Sequence, residues 1–175
     1  NREGRKKNWW IFGEALSTFR PALASVSRYI ATVETSKHRI FQFLDSAILP
    51  DNKIVAIALQ DAAQLAILSG RLHSVWALAA GSWIGYGNDP VYAKSKCFDP
   101  FPFPNLDGDH LTRLRALGEE LDAHRKAQQA AHPRLTLTAL YNVLEKLRAG
   151  QRIEGRDRET YDAGLVGILR DIHDR

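Results

Sequence analysis

The sequence predicts an α+β protein: a mixed α/β unit followed by a small helical bundle. Three observations carry this expectation. Short runs of β-branched and aromatic residues crowd the first hundred positions. Leucine-rich stripes at helical spacing fill the chain after residue 106. Between the two stands "CFDPFPFPNLDGDHL", residues 97–111, in which Phe98, Phe101 and Phe103 alternate with prolines.

The elements follow in order. "WWIF" (9–12) is aromatic and apolar and reads as a short strand. Pro21 suits the first turn of a helix running to about Val26. "RYIATV" (28–33) and "RIFQFLD" (39–45) read as strands. The second alternates, with Ile40, Gln42 and Leu44 facing one way and Phe41, Phe43 and Asp45 the other. "LPDNK" is a turn cluster, and "IVAIAL" (54–59) is a continuous apolar run expected as a buried strand. Asp61 has the chemistry of a helix cap. Leu65, Leu68, Leu72, Val75 and Ala79 then predict one helix over 62–80, ended by Gly81. "GYGNDP" is a further turn.

Beyond residue 106 three stripes appear. They are Leu111, Leu114, Leu117 and Leu121; then Leu137, Leu140, Tyr141, Leu144 and Leu147; then Tyr161, Leu165, Ile168, Leu169 and Ile172. Each predicts one amphipathic helix, and short helices need tertiary packing to hold. Proline cannot donate to a ladder, so the Phe-Pro segment is expected to be extended and unpaired. Its phenylalanines would anchor it as a strap joining the two units. It lacks the spacing of common polyproline ligands. The expected division is residues 1–105 and 106–175.

Composition sets the class. Of 175 residues, 45% are hydrophobic and 25% charged, ordinary values for a chain with a real core. No apolar run approaches the ~18 residues of a membrane span. The charged head lacks the apolar run and cleavage site of a signal peptide. Cys97 is the only cysteine, which excludes an internal disulfide and fits a reducing, cytoplasmic setting. The absence of methionine, even at position 1, predicts a piece of a longer protein. The net charge of +4 lies wholly in residues 1–105, with 12 Lys+Arg against 8 Asp+Glu; residues 106–175 hold 12 of each.

Catalytic signatures are missing from the sequence. The six histidines have no paired metal spacing. "GYGNDP" is neither a Walker loop nor a dinucleotide fingerprint, and no Gly-x-Ser-x-Gly elbow occurs. Cys97 has only Lys96 and Phe98 beside it and reads as a buried small side chain. Binding chemistry is more visible. Lys37, His38 and Arg39 lie together between two expected strands. Asn88, Tyr92, Lys94, Ser95 and Lys96 follow the "GYG" turn. Such residues suit phosphates and base edges, though they suit two solvated charged loops as well. Arg71 and His73 fall on the polar side of the 62–80 helix, as surface or packing residues rather than base readers.

Several segments in order carry a resemblance: "SRYIATVETSKHRIFQFLDSAILPDNKIVAIA", "LSGRLHSVWALAAG", "GNDPVYAKSKCFDPFPFP" and "LTLTALYNVLEKLRAG". Together they resemble the C-terminal part of large single-chain class I DNA adenine methyltransferases, often fused to a nuclease as type IIL restriction–modification enzymes of bacteria. The resemblance runs from about Trp9 to Asp174. It implies a target-recognition domain over 1–105 and a helical domain over 106–175. It further implies double-stranded DNA as partner, with S-adenosylmethionine bound by an upstream methyltransferase domain of the same chain. The family's catalytic Asn/Asp-Pro-Pro-aromatic motif is not present: Asp99-Pro100-Phe101 lacks the second proline, so neither catalytic nor cofactor residues are expected here. By position, Lys37, His38 and Arg39 would meet phosphates. Asn88, Tyr92, Lys94, Ser95 and Lys96 would meet backbone and base edges. The alternative is a protein–protein docking role for the helical part, within a larger bacterial assembly.

Overall fold

The computed structural model describes residues 2–7, 9, 19–86 and 89–175. The strand expected over 9–12 therefore lies outside the described residues, apart from Trp9. The elements are α1 (Arg2–Lys7), α2 (Phe19–Ala24), β1 (Arg28–Val33), β2 (Gln42–Asp45), β3 (Ile54–Ile57), α3 (Ala62–Ser69), α4 (Arg71–Ala80), β4 (Ser82–Ile84) and β5 (Asp89–Val91). After a π-helical turn at Lys94–Phe98 come α5 (Gly108–Ala131), α6 (Leu137–Arg148), α7 (Gly155–Gly164) and α8 (Val166–Asp174). The fold is α+β with its helical part at the C-terminal side, as the sequence predicts.

β1 is the middle strand of a three-stranded antiparallel sheet, order β2-β1-β3. Ile30 stands opposite Phe43 on one side and Ile57 on the other. These three face the main core, with Phe41, Leu65, Leu68, Tyr92 and Cys97. Tyr29 and Ala31, of opposite parity, pack with Leu23 of α2 and with Leu44 and Ala56. Both faces of β1 are thus covered, which explains an almost unbroken apolar run in place of clean alternation. β3 is shorter than its apolar run and mostly half-buried.

Asp61 caps α3 by accepting the N–H of Ala63. The single helix expected over 62–80 is two helices, broken at Gly70, whose backbone is extended (φ −70°, ψ 159°). Serine and glycine at 69–70 are weak helix formers, and glycine costs about 1 kcal/mol relative to alanine inside a helix. The break shifts the helical phase of residues 71–80. α4 turns His73 and Ala77 inward, while Leu72 and Val75, expected in the core stripe, are 84% and 59% exposed.

The third leucine stripe is also split. Leu165 stands between α7 and α8 with φ 44°, in the left-handed region, and ends one helix while starting the next. The bundle core is Leu121, Leu140, Val143, Leu144, Val166, Leu169 and Ile172. α5 serves two partners. Its first half lies on α3, its most extensive contact, and its second half packs on α7 and α8. Gly118 permits the close crossing, since a Cβ there would overlap the carbonyl oxygen of Ala62. Arg115 pairs with Asp61 at 2.6 Å, and Arg28 of β1 pairs with Glu119.

The Phe-Pro segment carries no strand pairing. It turns at Asp99–Pro100 and bends at Phe101, so it is a folded strap rather than a straight one. Phe101 meets His73 edge-on at 4.4 Å and Trp76 at 5.9 Å, and Phe103 packs against Phe98 and Phe101.

Candidate nucleic-acid interface

The described residues singled out by type fall into two stretches, 37–39 before the β4–β5 hairpin in the chain and 92–96 after it. Ser82 pairs with Val91 and Ile84 with Asp89. The turn passes through Gly85 (φ 67°), where the missing Cβ admits the left-handed backbone, to a fully exposed Tyr86. Asn88 lies outside the described residues. The hairpin is tied to the end of β1: Tyr92 N–H donates to Glu34 O at 2.8 Å and Ser36 N–H to Pro90 O at 3.3 Å.

Lys94, Ser95 and Lys96 are exposed on the π-helical turn, while Cys97 on its inner side is fully buried. Lys94 Nζ contacts Asp99 at 2.7 Å, an exposed pair of little energetic weight. Lys96 has no ion pair among the described residues. In place of the expected open loop, five residues close into a π-helical turn that leaves Lys94, Ser95 and Lys96 exposed.

Tyr92 does not share that surface. It is 1% exposed, and its hydroxyl lies 2.9 Å from His73 Nε2. Phe41 meets the ring edge-on at 5.4 Å, and the Arg39 guanidinium stands 5.0 Å from its centroid. Burial pushes the phenol's pKa well up and lowers that of His73 to about 4, helped there by the charge of Arg39. A base edge cannot reach Tyr92 in this fold. The expectation for it is corrected: it is a core residue whose hydroxyl is satisfied internally, as is usual for buried tyrosine. His73, expected on the polar face of its helix, is fully buried for the same reason.

Lys37, His38 and Arg39 are drawn together but turned largely inward. Lys37 Nζ donates to Asn142 Oδ1 at 3.0 Å and pairs with Glu145 at 2.8 Å. His38 Nε2 lies 2.8 Å from the same Asn142 oxygen. Arg39 donates to Val33 O, to Thr32 Oγ1 at 3.2 Å and to Pro90 O at 3.3 Å, so its guanidinium holds the hairpin against β1. Burial lowers its pKa. Lys37 and His38 therefore form a seam with α6, while Arg39 ties the hairpin to β1. Of the three, Lys37 keeps an exposed ammonium and a weak exposed pair. Tyr86, not among the residues expected to meet DNA, stands fully exposed at the hairpin tip, between two glycines in the sequence.

No protein family matches the chain, and no curated protein is similar to it. One solved structure shares its fold, the type IIL restriction–modification enzyme MmeI in complex with DNA. The match has a TM-score of 0.56 at 18% identity and covers 85% of this chain. The chain spans 18% of the length of that enzyme.

Proposed function

We propose that this chain is the DNA-recognition portion of a larger site-specific DNA adenine methyltransferase. An upstream domain would transfer the methyl group from S-adenosylmethionine, with or without a fused nuclease. The observation that carries the reading is the fold shared over 85% of the chain with an enzyme solved on DNA. The placement of all excess positive charge in residues 1–105 supports it. The contacting surface would be the exposed turn with Lys94, Ser95 and Lys96, flanked by the hairpin tip at Tyr86. Lysines would take phosphates and fix register, while Tyr86 and the tip would approach base edges. The strap and α5 would hold that surface at a set angle while the absent domain extrudes its adenine.

The test is retention of a random-sequence duplex pool over a salt series, with sequencing of the duplexes that stay bound. A steep salt slope with an enriched motif is the expected outcome. Lys94→Glu with Lys96→Glu should flatten the slope by about 0.9 for each phosphate no longer neutralised. Binding that is unchanged in this double variant would remove the turn from the interface. No binding at low salt, by this chain or by a longer one carrying the upstream domain, would overturn the reading.

A docking role has one observation of its own, found in α4 rather than in the helical part. Leu72, Val75 and Leu78 leave an apolar face uncovered, at 84%, 59% and 42% exposure. In a larger enzyme the upstream domain of the same chain is the natural cover for it.

A further inference from the structure

The β4–β5 hairpin is held at its root and bare at its tip. At the root, Thr35 bridges to Val91, and Arg39 Nη2 donates to Pro90 O at 3.3 Å. Gly81 lies so close to its neighbours that a Cβ there would overlap the carbonyl oxygens of Ala77 and Val91. Toward the tip the cover ends. Trp83 and Ile84 are 49% and 50% exposed, and Tyr86 is fully exposed. Neighbouring side chains on a strand point to opposite faces. Equal exposure at 83 and 84 therefore leaves both faces of the ribbon open. Three large apolar side chains gathered on a projecting ribbon mark a contact surface.

Charge narrows what that surface meets. β4 and Tyr86 carry no charge, and Asp89 is the one charged residue among the described residues of the hairpin. The tip has nothing to offer a phosphate. The exposed Lys94 and Lys96 lie beyond the root, on the turn whose Cys97 Sγ would stand 3.4 Å from a Cβ at Gly81. Cations behind and apolar side chains in front match a duplex entered from its major groove, with phosphates on the rim and thymine methyl groups on the floor. That groove, about 12 Å wide, admits a two-stranded ribbon. At about 3.3 Å per residue, the stretch from Ser82 to Tyr86 reaches about 13 Å, deeper than the groove's ~8.5 Å. Asp89, opposite Ile84, fits the floor as well, since a carboxylate accepts from a cytosine amino group.

We propose that the hairpin enters the major groove and that Ile84 and Tyr86 read thymine through its 5-methyl group. This readout rests on the DNA reading above and adds the groove and the feature of the base that is recognised.

Duplexes enriched by the 175-residue chain are remade with deoxyuridine in place of thymine, one position at a time. The exchange removes only the methyl group and leaves the protein untouched, so it does not depend on how a variant folds. At one or two positions binding should weaken about fourfold, the factor that goes with burying one methyl-sized group. Ile84→Ser and Tyr86→Ser, made separately at exposed positions, should bind the thymine duplex more weakly. In at least one of them the uracil penalty should vanish, as coupled partners require. Lys94→Glu with Lys96→Glu should lose affinity equally for both duplexes. An enriched motif that tolerates uracil everywhere, or that holds only G·C pairs, overturns the methyl readout and leaves the DNA reading standing. A penalty that persists in both serine variants overturns it too, because another residue then meets the methyl. Unchanged binding by both serine variants makes the tip a protein contact instead. No duplex retained at low salt, by this chain or by a longer one carrying the upstream domain, removes the DNA reading and this readout with it.

Discussion

Asp122 of α5 accepts the backbone N–H of Phe43 at 3.1 Å on the outer edge of the sheet. One turn further along, Arg125 donates from Nη1 to the carbonyl oxygen of Phe41 at 2.6 Å. The two side chains thus take the place of a fourth strand. Both are nearly buried, at 5% and 2% exposure, and Lys126 holds the other oxygen of Asp122 at 2.6 Å. An open strand edge invites pairing with other chains, and covering it with a helix is one remedy.

Removing either partner should be costly, because a buried backbone group is left unpaired. Asp122→Ala should destabilise the protein by about 1–3 kcal/mol in urea unfolding, and Arg125→Met by a similar or larger amount. Asp122→Asn keeps the accepting oxygen and should cost clearly less than the alanine variant. If asparagine and alanine are equivalent, the Phe43 N–H bond is not what Asp122 contributes.

The crossing of α3 and α5 gives a sharper contrast. Gly118→Ala must push the two helix backbones apart, since the overlap is with the Ala62 carbonyl and not with a flexible side chain. Overpacking of this kind costs about 1–3 kcal/mol or more, and alanine's better helix propensity, worth about 1 kcal/mol, does not offset it. Gly108 has no atom near its would-be Cβ. Gly108→Ala should therefore be neutral or slightly stabilising in the same urea assay.

Residue pattern showed some of this architecture and hid the rest for definite reasons. The β1 strand, the Asp61 cap and the 111–121 and 137–147 helices were legible because apolar period and cap chemistry agree there. The breaks at Gly70 and Leu165 were not, because the apolar spacing runs straight through them. Leucine in particular gives no warning of a left-handed backbone. At the candidate interface, residue type located Lys94, Ser95 and Lys96 on an outer turn. It could not tell that Tyr92 and His73 satisfy each other inside the core, nor that Arg39 donates to backbone carbonyls. A polar side chain in sequence looks the same whether its partner is solvent or an interior group.

That interior pair makes stability depend on pH. His73 is fully buried, its Nδ1 has no hydrogen-bond partner among the described residues, and its pKa is lowered from the ordinary 6.5 to about 4 by burial and by Arg39. His173, beside the Tyr141 hydroxyl at 2.7 Å, is lowered to about 3, chiefly by burial. Both folded values lie below the unfolded one, so the unfolded chain binds the protons first. The stabilisation is complete above about pH 6.5 and is lost as pH falls from there toward 4. The slope from His73 approaches about 1.4 kcal/mol per pH unit, and His173 adds to it in the same direction. The carboxylates held low by hydrogen bonds from arginine or lysine, Asp61, Glu119 and Glu145, act in a separate window, below their ordinary values. Urea midpoints should therefore stay level from pH 7.5 to about 6.5 and fall from there to pH 5 at constant m. Replacing His73 with Gln should lower stability at pH 7 and clearly flatten the slope, leaving the share of His173. A wild-type midpoint that stays level down to pH 5 would mean that His73 can be protonated in the folded state, and the packing around Tyr92 would then have to be open to water.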